Sequence, residues 1–268
     1  GTAAQPAFAT MLERVVDELG SIFDEQWGGF GSPPKFPRPT FVDLCLRHHA
    51  RTGDPRSLDM ATSTLDAMAA GGIYDHLAGG FARYSTDRAW LVPHFEKMLP
   101  DQALLARAYL HAWQLTGRAD YHQVLVETLD YVLSGLASPE GGLCSSEDAD
   151  AGGREGSHAT FTTAQARSAL SDLGEGVAEA ALEFYGITDA GNWEGTNVLR
   201  RPLGAPLARS PTRKAARIRL LDARRARPQP ARDDKILTEW NAMAVATLAE
   251  AAAATGNPHW TEAARSIA

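Results

Sequence analysis

Three helical-hairpin junctions recur in this chain, and they restrict its fold more than any other feature. The junctions read RTGDP at 51–55, LTGR at 115–118 and ATGNP at 254–258, each between two helix-forming segments. Glycine after a helix adopts the left-handed conformation that ends it, and Asp or Asn followed by Pro favours the start of the next helix. Repeated helical hairpins predict either an open solenoid or a closed α/α toroid.

Apolar side chains recur at three- and four-residue spacing through most of the chain, which predicts α-helices. The predicted helices cover residues 7–24, 40–51, 57–70, 101–116, 119–136, 163–172, 175–185 and 236–254. Alternating apolar and polar runs are nearly absent. Short two-stranded pieces are expected at 81–84 or 160–161, and no sheet is expected from pieces of that length. We therefore predict an all-α fold.

Glycine-rich connections follow the second helix of two predicted hairpins, at Gly71-Gly72 and Gly141-Gly142. Because they follow the same helix of each pair, we expect the long connections to gather at one end of the helical array. A single loop-rich end favours a toroid with one ligand face over a solenoid scaffold.

Composition excludes several classes of function. With 268 residues and 44% hydrophobic content, the chain can bury the core of one large domain or two small ones. Its 26 basic and 33 acidic residues give a net charge of −7, which argues against a nucleic-acid partner. No apolar run is long enough to span a membrane. Two distant cysteines without a CxxC motif fit a reducing cytoplasm, where we expect the protein to reside. The first residue is Gly1 and the last residues are helix-like, so we expect both ends to be cut from a longer protein.

Residues 71–99 carry the densest group of chemically useful side chains. Two Gly-Gly pairs eight residues apart frame a mixture of aromatics, acids, bases and histidines. Glycine lets a backbone approach a ligand closely, and loops on a rigid scaffold are common positions for binding sites. We interpret the segment as the floor of a pocket; a packed structural loop is the alternative. The residues concerned are Tyr74, Asp75, His76, Arg83, Tyr84, Trp90, His94, Glu96 and Lys97.

An acidic cluster at 147–155 is the second candidate for chemistry. Glu147, Asp148, Asp150 and Glu155 lie on a predicted loop in which Gly152-Gly153 allows folding over a ligand. Neighbouring carboxylates can hold one neutral and one ionised partner, as acid/base chemistry on a sugar requires. Cation binding and capping of the next helix are the alternatives. No HExxH or clustered Cys/His spacing occurs, and we expect neither a metal nor a cofactor.

Two further groups of residues have competing interpretations. Trp193 and Trp240, with Tyr74, Tyr84 and Trp90, could stack on a pyranose ring or pack in the core. The basic stretch 209–232 predicts an exposed basic helix bounded by prolines, with a surface for an acidic partner as the minor reading. Residues 233 and 234 are both Asp and could cap the helix that follows them.

Five motifs in order resemble those of the spermatogenesis-associated protein 20 family. They are GGFGSPPKFP at 28–37, the whole of 71–99, GGLCSSEDADAGGREG at 141–156, GNWEGTNVL at 191–199 and DDKILTEWNA at 233–242. The resemblance implies a thioredoxin-like domain followed by an (α/α)6 toroid similar to N-acylglucosamine 2-epimerases and six-hairpin glycosidases. Nothing in the chain matches the thioredoxin-like part. Residues 1–268 are therefore expected to form a single all-α toroid domain or a fragment of one, with an incomplete ring.

The resemblance also suggests a chemistry, because histidines inside the toroid transfer protons in the related sugar epimerases. By analogy His76 and His94 are expected to do so here. The predicted catalytic residues are His94, Asp148, Asp150, His76, Asp75 and Glu96, and the predicted ligand-binding residues are Tyr74, Arg83, Tyr84, Trp90, Lys97, Glu147, Glu155, Trp193 and Trp240. The expected function is epimerase-like or hydrolase-like action on a sugar or sugar derivative. The alternative is a non-catalytic ligand- or protein-binding toroid attached to a thioredoxin-like domain.

Overall fold

A computed structural model describes residues 4–207 and 210–268 and is mainly helical. The helices are α1 Ala4–Ser21, α2 Pro39–Thr52, α3 Pro55–Ala70, α4 Leu99–Thr116, α5 Ala119–Gly135, α6 Thr163–Ala169, α7 Glu175–Tyr185, α8 Pro211–Arg225, α9 Thr238–Thr255 and α10 Pro258–Ile267, with a 3-10 turn at Ser171–Leu173. The predicted helices are all present with bounds shifted by a few residues. None of the helices in the described part of the chain combines the length and apolarity that crossing a membrane requires.

The three predicted hairpins are confirmed as α2–α3, α4–α5 and α9–α10. Gly53, Gly117 and Gly256 end the first helices with φ of 76°, 67° and 72°, in the left-handed region. The side chains of Asp54 and Asn257 accept backbone N–H groups at the start of α3 and α10. Each hairpin is thus specified locally by its junction sequence.

The hairpins stand side by side in two layers. The main contacts between hairpins run through their first helices, since α2 packs on α4 and α4 packs on α9. Each of these helices also packs on its hairpin partner, and Leu105, Tyr109 and Leu248 are fully buried in the core. Helices α2, α4 and α9 therefore form one row and α3, α5 and α10 a second. Three hairpins are half of the six that close an (α/α)6 ring.

Helices α6, α7 and α8 lie between the second and third hairpins in the sequence, and they pack around a separate small core. Leu182, Tyr185 and Leu220 are buried in it, together with Leu77 from the segment before α4. The expectation of an exposed basic helix at 209–232 holds for one face of α8, where Lys214, Arg219 and Arg225 are exposed. The other face packs on this core through Ala216 and Leu220, and Arg224 is also buried. Arg209, at the start of that range, lies outside the described residues.

The expectation that no sheet forms is also wrong, although every strand is two residues long. The strands are β1 Tyr84–Ser85, β2 Pro93–His94, β3 Lys97–Met98, β4 Ser146–Glu147, β5 Asp150–Ala151, β6 Arg154–Glu155 and β7 Arg232–Asp233. They form antiparallel sheets β1–β2, β3–β4–β7 and β5–β6. Pairing this short leaves no alternating pattern in the sequence. The three-stranded sheet connects the segments that lead into α4 and α9.

The long connections do converge on one end of the array. Lys35 pairs with Ser85, so the segment before α2 contacts the segment before α4. The ring centroids of Trp193 and Phe95 are 5.1 Å apart, which brings the connection after α7 to the same place. Together with the β3–β4–β7 sheet, these contacts place the glycine-rich motifs where α2, α4 and α9 begin.

Candidate functional site

One extended segment, residues 93–98, divides the loop-rich end into two faces. Successive side chains of an extended backbone point to opposite sides. Phe95 and Lys97 line a cleft toward the α6–α8 unit, whereas His94 and Glu96 belong to a separate group of charged and aromatic side chains. Most of the predicted site residues therefore fall into two groups rather than one cavity.

The first group is the Asp75 cleft, a small cavity with a volume of about 50 Å³. Of the predicted site residues it contains Tyr74, Asp75, His76, Lys97, Glu147 and Asp148. Phe95, His158 and Arg224 complete its polar and aromatic lining, and none of these three was predicted. The cleft lies between the hairpin array and the small helical unit.

Asp75 is held in the cleft as a carboxylate by two cations. Its Oδ2 lies 2.7 Å from Lys97 Nζ, and Arg224 donates to both carboxylate oxygens at 2.9 Å. The backbone N–H groups of Leu77 and Ala78 also donate to Oδ1. Burial alone would raise the pKa of Asp75, but the Arg224 and Lys97 charges outweigh it and hold the pKa well below its usual range. A carboxylate bound in this way organises the cleft and does not exchange protons near neutral pH.

Glu147 and Asp148, the two other acidic residues of the Asp75 cleft, differ in their surroundings. Glu147 pairs in register with Lys97 and accepts a hydrogen bond from Tyr131 Oη at 2.7 Å. Lys97 Nζ in turn lies 4.0 Å from the centroid of the Tyr131 ring. Asp148 is exposed, and its Oδ1 accepts the backbone N–H of Asp150. Asp148 is therefore the carboxylate of the cleft that a ligand can reach most easily.

His158 is a half-buried neutral imidazole in the same cleft. Burial and, to a smaller extent, the Arg224 charge lower its pKa to about 4. Its Nδ1 is buried and lacks a hydrogen-bond partner among the described residues. His158 lies in the connection before α6 and Arg224 in the last turn of α8, and no spacing in the sequence relates them to Asp75.

The second group, which we call the His94 cluster, consists of Arg83, Tyr84, His94, Glu96 and Glu155. His94 Nδ1 is 2.7 Å from Glu155 Oε1, and the Tyr84 ring stacks on the imidazole at 5.0 Å between centroids. Because a carboxylate only accepts hydrogen bonds, Nδ1 carries the proton and neutral His94 keeps a lone pair on Nε2. This Nε2 lies 4.0 Å from Glu96 Oε2, beyond hydrogen-bond distance.

The His94 cluster lies at the start of the row formed by α2, α4 and α9. His94 is five positions before the first residue of α4, and the Tyr84 ring is 4.9 Å from Phe36, just before α2. Arg83 donates to Glu96 at 3.1 Å. The His94 side chain is 31% exposed, so a ligand can reach it while the Tyr84 ring and Glu155 hold it in place.

Asp101 belongs beside this cluster, although it was not among the predicted site residues. It occupies the first turn of α4, and the nearby charges that act on it are Arg83 and Glu96. Its pKa is raised to about 6, mainly by burial; the Arg83 charge opposes this shift and the Glu96 charge adds to it. The carboxyl therefore binds a proton more readily than an ordinary Asp side chain. Its spacing of seven from His94 was the only sequence signal that could have marked it.

Several predicted ligand-binding residues instead have structural contacts. Trp90 is fully buried, and its Nε1 donates to the carbonyl of Trp27. Trp193 packs on Phe95, and Trp240 packs against a core cluster that includes Leu143 and Ala244. For Trp90 and Trp240 the alternative interpretation, core packing, fits the structure, whereas Trp193 is half-buried against Phe95 of the Asp75 cleft.

Tyr74 and His76 line the Asp75 cleft from buried positions. Tyr74 Oη donates to a carboxylate oxygen of Glu127, and His76 Nε2 is 2.8 Å from the carbonyl oxygen of Gly71. Asp150 lies outside the cleft lining and pairs in register with Glu155 through the β5–β6 sheet. Through this pairing Asp150 neighbours Glu155 of the His94 cluster and does not line the cleft.

The capping alternatives for the acidic residues are wrong. Thr162, with Gln165, forms the capping box at the start of α6, and Leu237 precedes α9 without a side-chain cap. Asp233 instead lies in β7 and pairs with Lys235 at 2.8 Å. Within residues 4–207 and 210–268, His, Cys, Asp and Glu side chains form no group of three or more that could hold a metal ion.

Sequence comparison finds relatives across nearly the whole chain. The chain is 38% identical to human spermatogenesis-associated protein 20 over 287 residues. This match covers 94% of the chain and 36% of the human protein. The chain is also 30% identical to an uncharacterized protein from Caenorhabditis elegans over 91% of this chain and 38% of that protein. The chain therefore spans little more than a third of these curated relatives. No family model matches the chain.

Comparison with solved structures identifies the fold. A family 76 glycoside hydrolase (mannosidase) from Bacteroides thetaiotaomicron matches with a TM-score of 0.50 at 9% identity, over 87% of this chain and 43% of that chain. D-mannose isomerase matches with a TM-score of 0.50 at 11% identity, over 96% of this chain and 49% of that chain. Such low identities show the fold alone, and that fold is the (α/α)6 toroid.

Proposed function

We propose that this chain, which belongs to the spermatogenesis-associated protein 20 family, acts on a sugar or sugar derivative by proton transfer at the His94 cluster. The observation that carries the proposal is the pairing of His94 with Glu155 at the loop-rich end of the toroid. The sugar is inferred from the fold, because two toroids that the chain resembles are named as a mannosidase and a D-mannose isomerase.

The chemistry follows from the orientation of the imidazole. Glu155 accepts the Nδ1 hydrogen and leaves Nε2 as the base. Arg83, paired with Glu96 and 45% exposed, can hold a ligand oxygen beside it. A base next to fixed hydrogen-bond donors suits removal of a proton from the carbon beside a sugar carbonyl and its return, which is isomerase or epimerase chemistry.

Hydrolysis is the second candidate, supported by a different observation. A glycosidase needs one protonated and one ionised carboxyl group. Asp101, with its pKa raised to about 6, and neighbouring Glu96 could supply such a pair. Hydrolysis would release a reducing end from a disaccharide, whereas isomerisation would convert a free monosaccharide. The products therefore distinguish the two reactions.

The first test is a thermal-shift screen of free sugars and sugar derivatives on the full-length protein, followed by assay of the binding sugars for turnover. A ligand that binds the native state raises the melting temperature. His94→Ala should lower turnover by about 100-fold or more while the protein stays folded, as expected for the loss of a general base. Glu155→Gln should lower turnover by at least about tenfold, because the amide can impose the wrong tautomer on His94.

Asp148→Asn separates the two groups of residues. Asp148 belongs to the Asp75 cleft and was predicted to be catalytic. Loss of turnover in the His94 variant with normal turnover in the Asp148 variant supports the His94 cluster. The reverse pattern moves the chemistry to the cleft. Sugar binding without turnover would support the non-catalytic toroid, with a thioredoxin-like domain as its partner in the full-length protein.

A further inference from the structure

We propose that the Asp75 cleft is a second binding site, which takes the hydroxyl-bearing end of a small neutral polyol. The proposal goes beyond the function of the His94 cluster, and binding in the cleft does not depend on proton transfer there. Two buried polar atoms, Nδ1 of His158 and Nε of Arg224, have no hydrogen-bond partner among residues 4–207 and 210–268. Both residues line the cleft. Since buried polar atoms in proteins are nearly always hydrogen-bonded, two unpaired ones beside one cavity indicate a place where a polar group binds.

Both atoms are held in position by other contacts. The Arg224 side chain is 5% exposed, and its two terminal nitrogens each donate to Asp75 at 2.9 Å, which fixes the orientation of Nε. The connection that carries His158 is fixed by Arg227, whose guanidinium donates to the carbonyl oxygens of His158 and Thr160 at 3.1 and 2.6 Å. The site is therefore organised before a ligand binds, which lowers the cost of binding.

The two atoms together match a hydroxyl group. A guanidinium nitrogen can only donate a hydrogen bond. His158 is neutral near pH 7, because burial and the Arg224 charge lower its pKa to about 4, and its Nδ1 accepts a hydrogen bond when Nε2 carries the proton. A hydroxyl oxygen can accept from Arg224 while its hydrogen is donated to His158. A carboxylate has no hydrogen to donate, so it cannot satisfy both atoms in this tautomer.

The charges of the cleft also favour a neutral ligand. Its lining includes three acidic and two basic side chains, which are Asp75, Glu147, Asp148, Lys97 and Arg224. Both basic side chains are paired with Asp75. Glu147 and Asp148 therefore leave an excess of negative charge, which opposes the binding of a carboxylate or phosphate group.

The size of the cleft limits what it can enclose to the end of a chain. The cavity volume is about 50 Å³, and a group of the size of water occupies about 10–15 Å³ of such a volume, so about four non-hydrogen atoms fit. Ile73, Phe95 and Leu199 provide apolar walls for the carbon atoms. Because Asp148 is exposed, a longer polyol can extend past it toward solvent. Ethylene glycol has the size and the chemistry of the enclosed part.

The test is an NMR titration of the full-length protein, with isotope-labelled histidine side chains, against ethylene glycol and separately against acetate, an anion of the same size. The signal that disappears in His158→Phe is assigned to His158. Ethylene glycol should shift this signal saturably, with a dissociation constant of about 1–50 mM, as expected for so few atoms. Acetate should bind at least about tenfold more weakly.

A pair of alanine substitutions locates the bound ligand. Ala159→Leu places a larger side chain in the lining of the cavity and should weaken the binding of ethylene glycol by at least about tenfold. The matched control Ala253→Leu makes the same change on the exposed surface of α9 and should leave the affinity unchanged. If Ala159→Leu does not fold, the comparison of ethylene glycol with acetate on the wild-type protein still decides the question.

Each contrary result would overturn the proposal for a different reason. If ethylene glycol causes no saturable shift of the His158 signal, the cleft takes water alone. If acetate binds as tightly as ethylene glycol, the cleft is an anion site. If the affinity is unchanged in Ala159→Leu, the ligand binds outside the cleft. None of these results bears on turnover at the His94 cluster, so failure of this proposal is distinguishable from failure of the proposed function.

Discussion

Replacement of Asp75 by Asn should destabilise the protein strongly, because it leaves two buried cations without their counter-ion. The side chain of Asp75 is only 11% exposed, as is that of Lys97, and that of Arg224 is 5% exposed. Asn preserves the shape and an oxygen for the N–H groups of Leu77 and Ala78, so the variant removes mainly charge. Breaking a buried ion pair by removing one partner costs about 3–5 kcal/mol.

This cost should be measurable as a fall in melting temperature of about 6–20 °C, from the usual dependence for a protein of this size. The control is Glu179→Gln, which removes an exposed pair with Arg167 and should cost less than about 1 kcal/mol.

The low pKa of Asp75 also determines how its contribution to stability changes with pH. Its stabilising effect is fully present above the ordinary value of 3.8 and is lost as pH falls toward its folded-state pKa. The difference in stability between wild type and Asp75→Asn should therefore shrink below pH 4. A loss no larger than that of the control at pH 7 would refute this account of the cleft.

Two further substitutions test other parts of the structure. Asp101→Asn should stabilise the folded protein by about 3 kcal/mol at pH 8 and by little at pH 4, because a carboxyl with a pKa of about 6 instead of 3.8 penalises folding once it ionises. Urea denaturation at the two pH values measures this difference. Equal stability of the variant and the wild type at pH 8 would contradict the desolvation of Asp101. Gly80→Val should destabilise by at least about 2 kcal/mol, since Gly80 has φ of 79° and a Cβ would lie 2.6 Å from Tyr131 Cδ1. The control variant is Gly117→Asn, at φ of 67° with open space around it, and it should cost less than about 1 kcal/mol. Similar losses of stability for the two variants would mean that the contact with Tyr131 is unimportant.

The features that could be predicted from sequence are those decided by local contacts. Gly53 and Asp54 define a hairpin junction through their own conformation and hydrogen bonds, so the pattern is legible without tertiary information. The helical stripes are local in the same sense. Motif resemblance then supplied the ring architecture, which periodicity alone left open between a solenoid and a toroid.

The site was less predictable because its partners are distant in the chain. Arg224 contacts Asp75 across 149 positions, and it sits in a stretch whose charge suggested an exposed surface. The spacing of His94 and Glu155 likewise gives no hint of their contact, which depends on how two loops fold together. Alternation along residues 93–98 could have separated His94 from Lys97, but only once the segment was known to be extended rather than helical.

The measurement that tests the central claim most directly is hydrogen exchange at C2 of a reducing sugar in D₂O. The full-length protein is incubated with each sugar that raises its melting temperature, and proton NMR follows the loss of the C2 signal. Proton transfer by His94 predicts that the wild-type protein exchanges this proton and that His94→Ala does so about 100-fold more slowly or not at all. Exchange at the same rate in both proteins, or none in the wild type with any sugar that binds, would contradict the account.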